Sequence, residues 1–328
     1  MIKKIIQQIK LNKSFLVSSH INLEGDAIGS ILAMRDILLH FKKKVEVVIQ
    51  DKIPPEYKFL PDIDCIKILK DVKFNDYDVL VLLDVSDEKR CQKIINRFPK
   101  DKTIINIDHH ISNTHFAKIN WIEPKASSTV EMIYKLYKKL NIPLNRKRAL
   151  WLYTGLLTDT GSFRYPNTTA YSFKLAGKLL DYGLRVSEIY QNIYYNLSLK
   201  ELKIINQILS TIKSDKKNRI VWFKMKRDFF MKDKSTRDFS DVILDMGRSI
   251  KDIEVVVLFK ESLSFKDLVH VSLRSKNEID VDRIARYFGG GGHRTASGCE
   301  IKDNLERAEK MVIKKIKEYI NERRNNYR

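Results

Sequence analysis

The chain has 328 residues, which favours two domains over one, and 43% of them are apolar, enough to fill real cores. Its 61 Lys and Arg residues against 41 Asp and Glu leave a formal net charge of +20, which suits a polyanionic partner and equally a lysine-rich compositional bias, so it supports an anionic substrate without identifying one. No run approaches roughly 18 uninterrupted apolar residues, which argues against a membrane span, and the three widely spaced cysteines (Cys65, Cys91, Cys299) argue against a disulfide framework and for a reducing cytoplasm.

The N-terminal MIKKIIQQIKLNKSF is basic, but no apolar segment follows that could serve as a secretion signal; Ile2, Ile5, Ile6 and Ile9 fall at helical spacing instead. FLVSS (15–19) reads as a strand, AIGSILAMRDILLHF (27–41) as a helix and VEVVI (45–49) as a strand. Pro54, Pro55 and Pro61 mark a loop before two apolar strands, DVLVLLD (78–84) and KTIINID (102–108). STVEMIYKLYKKL (128–140) and the apolar KRALWLYTGLLTDT (147–160) are helical, as is YSFKLAGKLLDYG (171–183), with Gly183 as its stop. Strands separated by helices predict a doubly wound parallel sheet for residues 1–185. Residues 186–215 read as a helical linker. A smaller α/β domain is expected over 216–328, with strands at 219–225, 253–261 and 267–275, helices at 239–250 and 305–325, and the glycine-rich FGGGGHRTASGCEI (288–301). The basic tail 323–328 reads as a frayed helix end.

Metal-loving side chains cluster behind the apolar runs. IINIDHH (104–110) ends in Asp108, His109 and His110; SFLVSSHINLEGDAIGS (14–30) puts His20, Glu24 and Asp26 after another run; YDVLVLLDVSD (77–87) ends on Asp84; and Asp159 sits in LLTDTGSF (156–163). Asp and His are rarely fully buried without partners. Groups that follow strand ends can converge on the edge where open parallel sheets bind ligands. A pair of divalent cations about 3.5–4 Å apart needs several carboxylates, one bridging, to activate water and neutralise a phosphate; imidazoles among them suit Mn, Fe, Co or Zn better than Mg. In HINLEGD, Glu24 and Asp26 could reach different metals, with Gly25 permitting a tight turn. Each acid or histidine alone could be an ordinary loop or capping residue; the whole set at strand ends is hard to explain that way.

The motifs HxxxExDAIGS, LLDVSD, DHH and TDTGSF closely resemble those of the DHH phosphoesterases, and GGGGHRTASG resembles the signature of the DHH-associated C-terminal domain. They span residues 20–298 in the family's order, and size and layout are most similar to the nanoRNase and cyclic-dinucleotide phosphodiesterase branch. The resemblance implies hydrolysis of short nucleotides to mononucleotides: linear dinucleotides or nanoRNA, cyclic di-AMP, or 3′-phosphoadenosine 5′-phosphate. It implies two Mn²⁺ per chain, one held by His20, Glu24 and Asp84 and the other by Asp26, Asp84, His109 and Asp159, with Asp84 bridging. His110 would face the scissile phosphate and Asp108 would orient the histidines. The family usually has Asp where this chain has Glu24, which puts metal identity and rate in question more than reaction class.

The glycine run brings Gly290, Gly291, Gly292 and His293 together, and glycine lets backbone amides approach a phosphate or base. With Arg274 and Ser275 of SLRS (272–275), they are expected to hold the far end of the substrate; Arg164 of GSFRY could serve the same anion. The expected partner is a short oligonucleotide or cyclic dinucleotide, with no membrane partner and a homodimer left open. Two competing readings remain: a manganese inorganic pyrophosphatase, which resembles the first-domain motifs but carries a different second domain, and a nucleotide-binding regulator with an impaired metal site, for which Glu24 is the argument.

Overall fold

The computed structural model describes residues 1–70, 72–195, 197–231, 238–276 and 279–326; residues 327 and 328 of the basic tail lie outside them. The chain divides into two compact units, Met1–Asn196 and Leu197–Arg328.

In the first unit the apolar runs become an all-parallel sheet. After α1 (Ile2–Leu11), strands β1 (Ser14–Ser19), β2 (Lys44–Ile49), β3 (Ile66–Ile68), β4 (Val79–Leu83), β5 (Thr103–Asp108) and β6 (Ile119–Ile122) lie in the order β3-β2-β1-β4-β5-β6. Every residue of β1 and β4 is buried, as the continuous apolar runs require of central parallel strands. Register places Ser19 beside Leu83 and Leu83 beside Ile107, so β1, β4 and β5 end level with one another. Strand order runs outward in both directions from the β1–β4 pair. That reversal creates a crevice at the carboxyl ends of the strands, and His20, Asp84 and Asp108 stand there.

Helices α2 (Gly25–His40), α3 (Gln92–Ile95), α4 (Thr129–Lys139), α5 (Arg146–Asp159), α6 (Ala170–Leu180) and α7 (Val186–Tyr194) complete the unit. α2 crosses α5 at very short range. A Cβ on Gly29 would lie 2.5 Å from the Trp151 carbonyl oxygen, and one on Gly155 would lie 2.6 Å from Val130 Cγ1 and 2.9 Å from Asp26 Oδ1. Gly25, expected to permit a tight turn, is instead the first residue of α2; its Cβ would meet Thr158 Oγ1 at 2.5 Å, so it is small for packing.

The second unit contains α8 (Leu199–Leu209), β7 (Lys213–Asp215), β8 (Ile220–Met225), α9 (Asp228–Met231), α10 (Ser240–Ser249), β9 (Val255–Glu261), β10 (Val269–Ser275), α11 (Val281–Tyr287), β11 (Gly291–His293), β12 (Ala296–Ile301) and α12 (Leu305–Asn326). Its sheet runs β11-β12-β10-β9-β8-β7, with β8 and β9 parallel and the other neighbours antiparallel. Val255, Val257 and Phe259 pack with α11 and α12, while Val256 and Leu258 pack with α8 and α10, so the sheet is covered on both faces. The stretch 186–215, read as a separate helical linker, is divided between the units. Ile189 and Ile193 of α7 join the first core, and Ile204, Ile205 and Ile208 of α8 join the second. Among the described residues no helix is long and apolar enough to cross a membrane.

Candidate metal centre

Asp84 stands at the middle of the crevice. Its φ of +62° turns the chain sharply off β4, a left-handed conformation that Asp tolerates better than most residues. The turn presents the two carboxylate oxygens to different histidines: Oδ2 lies 3.4 Å from His20 Nε2, and Oδ1 lies 3.7 Å from His109 Nε2 and 3.6 Å from His110 Nδ1. Asp159 reaches the same place as the last residue of α5, with Oδ2 3.3 Å from His109 Nε2. It therefore comes from a helix end rather than a strand end. Asp26 comes from the first turn of α2. Among the described residues two groups place all their ligand-type atoms within 4.8 Å of one another: Asp26, His109 and Asp159, and Asp84, Asp108, His109 and His110.

His109 is oriented by its far nitrogen. Nδ1 lies 3.2 Å from the Ala126 carbonyl oxygen, which assigns the ring proton to that nitrogen. Nε2 faces Asp159 Oδ2 at 3.3 Å and Asp84 Oδ1 at 3.7 Å and is buried without a hydrogen-bond partner among the described residues. Asp108 is fully buried; its Oδ1 accepts from the His109 backbone N–H (2.8 Å) and His110 Nδ1 (2.6 Å), and its Oδ2 from Asn113 Nδ2 (2.6 Å). With those bonds made, Asp108 orients the histidine pair and has little capacity left for a cation.

The charges in this cluster oppose one another. Burial, reinforced by Asp84 and Asp159, pushes the Asp26 carboxyl well above the usual range. Burial, with Asp84 and Glu24 adding to it, raises Asp159 to about 6 despite the pull of His109. Burial also works against ionising Asp84, but the hydrogen bond from His20 and the charges of His110, His20 and His109 outweigh it and hold that carboxyl far below its ordinary value. Burial favours a neutral His109, and the surrounding Asp159, Asp84, Asp26 and Asp108 nonetheless raise it to about 9. A buried imidazole nitrogen that faces crowded carboxylates without a hydrogen-bond partner fits a divalent cation that would displace its proton, and the N/O donor set is the one suited to Mn, Fe, Co or Zn.

Two expected ligands stand apart from these groups. His20 approaches Asp84, and its Nδ1 lies 2.5 Å from the Ile21 carbonyl oxygen and 3.0 Å from Arg90 Nη2. Glu24 is an exposed residue at the N-cap of α2, near enough to act on Asp159 but outside both ligand groups. Arg164 is exposed, with Nε donating to the Gly161 carbonyl oxygen at 2.7 Å.

Sequence reasoning passed over the turn Ala126–Val130. Besides the Ala126 carbonyl on His109, the backbone N–H groups of Thr129 and Val130 donate to Asp26 Oδ2 (2.6 Å) and Oδ1 (2.8 Å), and Thr129 Oγ1 donates to Asp84 Oδ1 (3.1 Å). Asn167 Nδ2 joins the Ser127 carbonyl oxygen (2.9 Å) to Asp159. The one sequence signal was a Ser-Ser-Thr run opening a helix, with Ser128 as its N-cap.

In the second unit, the residues expected to hold the far end of the substrate divide. Arg274 is partly exposed and donates to Asp241 Oδ1 at 3.1 Å and the Leu273 carbonyl oxygen at 3.2 Å. Ser275 is fully buried, and its hydroxyl donates to the Ile279 carbonyl oxygen at 2.6 Å. The glycine amides are also mostly engaged: Gly289 donates to Arg286, Gly290 to Ala285 and Gly292 to Asp282 Oδ1. Gly290 is small because a Cβ there would lie 2.1 Å from the Gly298 carbonyl oxygen, and one on Gly292 would meet the Ala296 carbonyl oxygen at 2.6 Å. A Cβ on Gly291 would have no neighbour closer than 3.5 Å, so packing does not demand glycine there. His293 lies half-buried in β11 beside it.

Comparison with known proteins fits this geometry. Residues 14–156 match the DHH family, N-terminal domain, and residues 229–322 match the DHHA1 domain. An uncharacterized Mycoplasma genitalium protein is 30% identical over 304 residues, which cover 90% of this chain and 89% of that one. The chain belongs to the DHH phosphoesterase family. Among DHH-family relatives, the bifunctional oligoribonuclease and PAP phosphatase NrnA of Bacillus subtilis is 28% identical over 303 residues, covering 91% of this chain and 92% of NrnA. The structure of an exopolyphosphatase-related protein from Bacteroides fragilis superposes with a TM-score of 0.88 at 25% identity, covering 98% of this chain and 96% of that one. The DHH match takes in His20, Asp26, Asp84 and Asp108–His110; the DHHA1 match takes in Arg274 and the glycine run.

Proposed function

We propose that this metal-dependent DHH phosphoesterase hydrolyses short oligoribonucleotides and 3′-phosphoadenosine 5′-phosphate to mononucleotides with two Mn²⁺, in a reducing cytoplasm. The observation that carries the reading is Asp84, whose two oxygens face histidines on opposite sides. One such carboxylate can serve two cations at once, with His20 on one side and Asp26, His109 and Asp159 on the other. When bound, such a pair supplies an activated water and neutralises charge on the phosphate. Asp108 accepts from His110 Nδ1 and so fixes the orientation of the imidazole that would face the phosphate or the departing oxygen. The likeness to NrnA along nearly the whole chain supports the substrate class, and the DHHA1 match supports a nucleotide-gripping second unit over a pyrophosphatase.

In that unit Arg274 keeps a partly exposed guanidinium, the shape for bidentate phosphate binding, while Gly291, on the same short strand as His293, is a glycine that packing does not require. A chromatographic assay of purified protein with Mn²⁺ tests the reading on a linear diadenylate, the bisphosphate, cyclic di-AMP and pyrophosphate. Consumption of the diadenylate and the bisphosphate, abolished by a chelator, is the expected result. Hydrolysis of pyrophosphate alone, or of none of the four, overturns it.

A further inference from the structure

We infer that Thr129 is a positioning residue that sets the two central carboxylates relative to each other, and that its hydroxyl is required for full cation affinity. The inference rests on the proposed metal reading. Thr129 is fully buried as the first residue of α4. Its side chain and main chain act on different acids: Oγ1 donates to Asp84 Oδ1 at 3.1 Å, while its N–H donates to Asp26 Oδ2 at 2.6 Å. Asp84 follows β4 and Asp26 lies in the first turn of α2, so one residue ties a strand end to a helix start at the sheet edge.

The hydroxyl bond fixes the rotation of the Asp84 carboxylate about its last torsion, which is otherwise broad for an Asp side chain. That rotation decides whether Oδ2 points toward His20 and Oδ1 toward His109, the arrangement a shared ligand needs. The Val130 N–H holds the other oxygen of Asp26 at 2.8 Å, so Asp26 is fixed by backbone and Asp84 by a side chain. Only the second bond can be removed by substitution. Partners of this kind cost 10–100-fold in metal affinity when lost.

The test counts bound Mn²⁺ by electron paramagnetic resonance on the full chain, without substrate, alongside melting of the metal-free protein. Thr129→Val removes the hydroxyl and keeps the branched shape. It should weaken Mn²⁺ binding on the order of 10-fold or more, and Thr129→Ser should recover wild-type affinity to within about threefold. If the valine variant does not fold, Thr129→Ala makes the same comparison with serine. Unchanged Mn²⁺ binding in the valine or alanine variant, or a serine variant as weak as either, overturns the role of Thr129. Wild-type protein that binds no Mn²⁺ would instead overturn the metal reading itself, so the two failures are distinguishable.

Discussion

Asn167 Nδ2 donates to both the carboxylate Oδ2 (3.2 Å) and the main-chain carbonyl oxygen (3.0 Å) of Asp159. Its own Oδ1 is buried without a partner among the described residues, so the side chain is committed to holding Asp159 and the Ser127 carbonyl together. Asn167→Leu keeps the bulk and removes all three bonds. The metal-free protein should lose about 1–3 kcal/mol, read by urea unfolding, and Mn²⁺ affinity should fall roughly 10-fold or more. Unfolding without any change in Mn²⁺ affinity would make Asn167 a loop fastener with no part in the site.

For Asp84 the informative substitution is asparagine. Alanine at a φ of +62° adds backbone strain of about 1–2 kcal/mol, whereas Asn accepts that conformation and loses only the charge. Asp84→Asn should fold with a lowered melting temperature, because the surrounding histidines lose their ionised partner, and turn over dinucleotide on the order of 10³-fold more slowly, the equivalent of about 4 kcal/mol of lost charge stabilisation. Near-normal turnover at saturating Mn²⁺ would remove Asp84 from the centre of the mechanism.

The raised values at His109 (about 9) and Asp159 (about 6) fix a sign for pH. In each case folded metal-free protein holds the proton more tightly than the unfolded chain, so stability falls as pH rises through the folded value. For Asp159 the decline runs from about pH 4 to 6, and for His109 from about 6.5 to 9. A cation must displace the His109 proton, so the rise in melting temperature on adding Mn²⁺ should be larger at pH 8.5 than at pH 6. A shift that is constant across that interval would mean that His109 is already neutral before the cation arrives.

Gly155 tests the helix crossing. Its Cβ would crowd Val130 and the Asp26 carboxylate together. Gly155→Ala should cost about 1–3 kcal/mol of stability by overpacking and weaken Mn²⁺ binding through the displaced Asp26. An alanine variant with normal stability in urea would show that α2 and α5 can separate without penalty.

What the sequence disclosed and what it hid follow from distance along the chain. β1, β4 and β5 were readable because central parallel strands are local apolar runs, and Asp84 and Asp108–His110 were readable because they follow those runs directly. β3 and β6, three and four residues long, carry too few residues to stand out from loop. The contacts of Thr129 with Asp26 and Asp84 span 103 and 45 positions, and no local pattern encodes such a pairing. The burial of Ser275 was readable too: it alternates in step with the buried Val269, Val271 and Leu273 of β10, which puts it on the inward face, opposite to Arg274.

Each of the two units fills its own hydrophobic interior, so heat need not dismantle them together. Every side chain assigned to the cations belongs to the first. In a calorimeter, Mn²⁺ should therefore move one endotherm upward and leave the other where it was, and the unmoved peak becomes an internal standard. A substitution that lowers both peaks has harmed the chain at large; one that lowers only the cation-dependent peak has acted on the crevice.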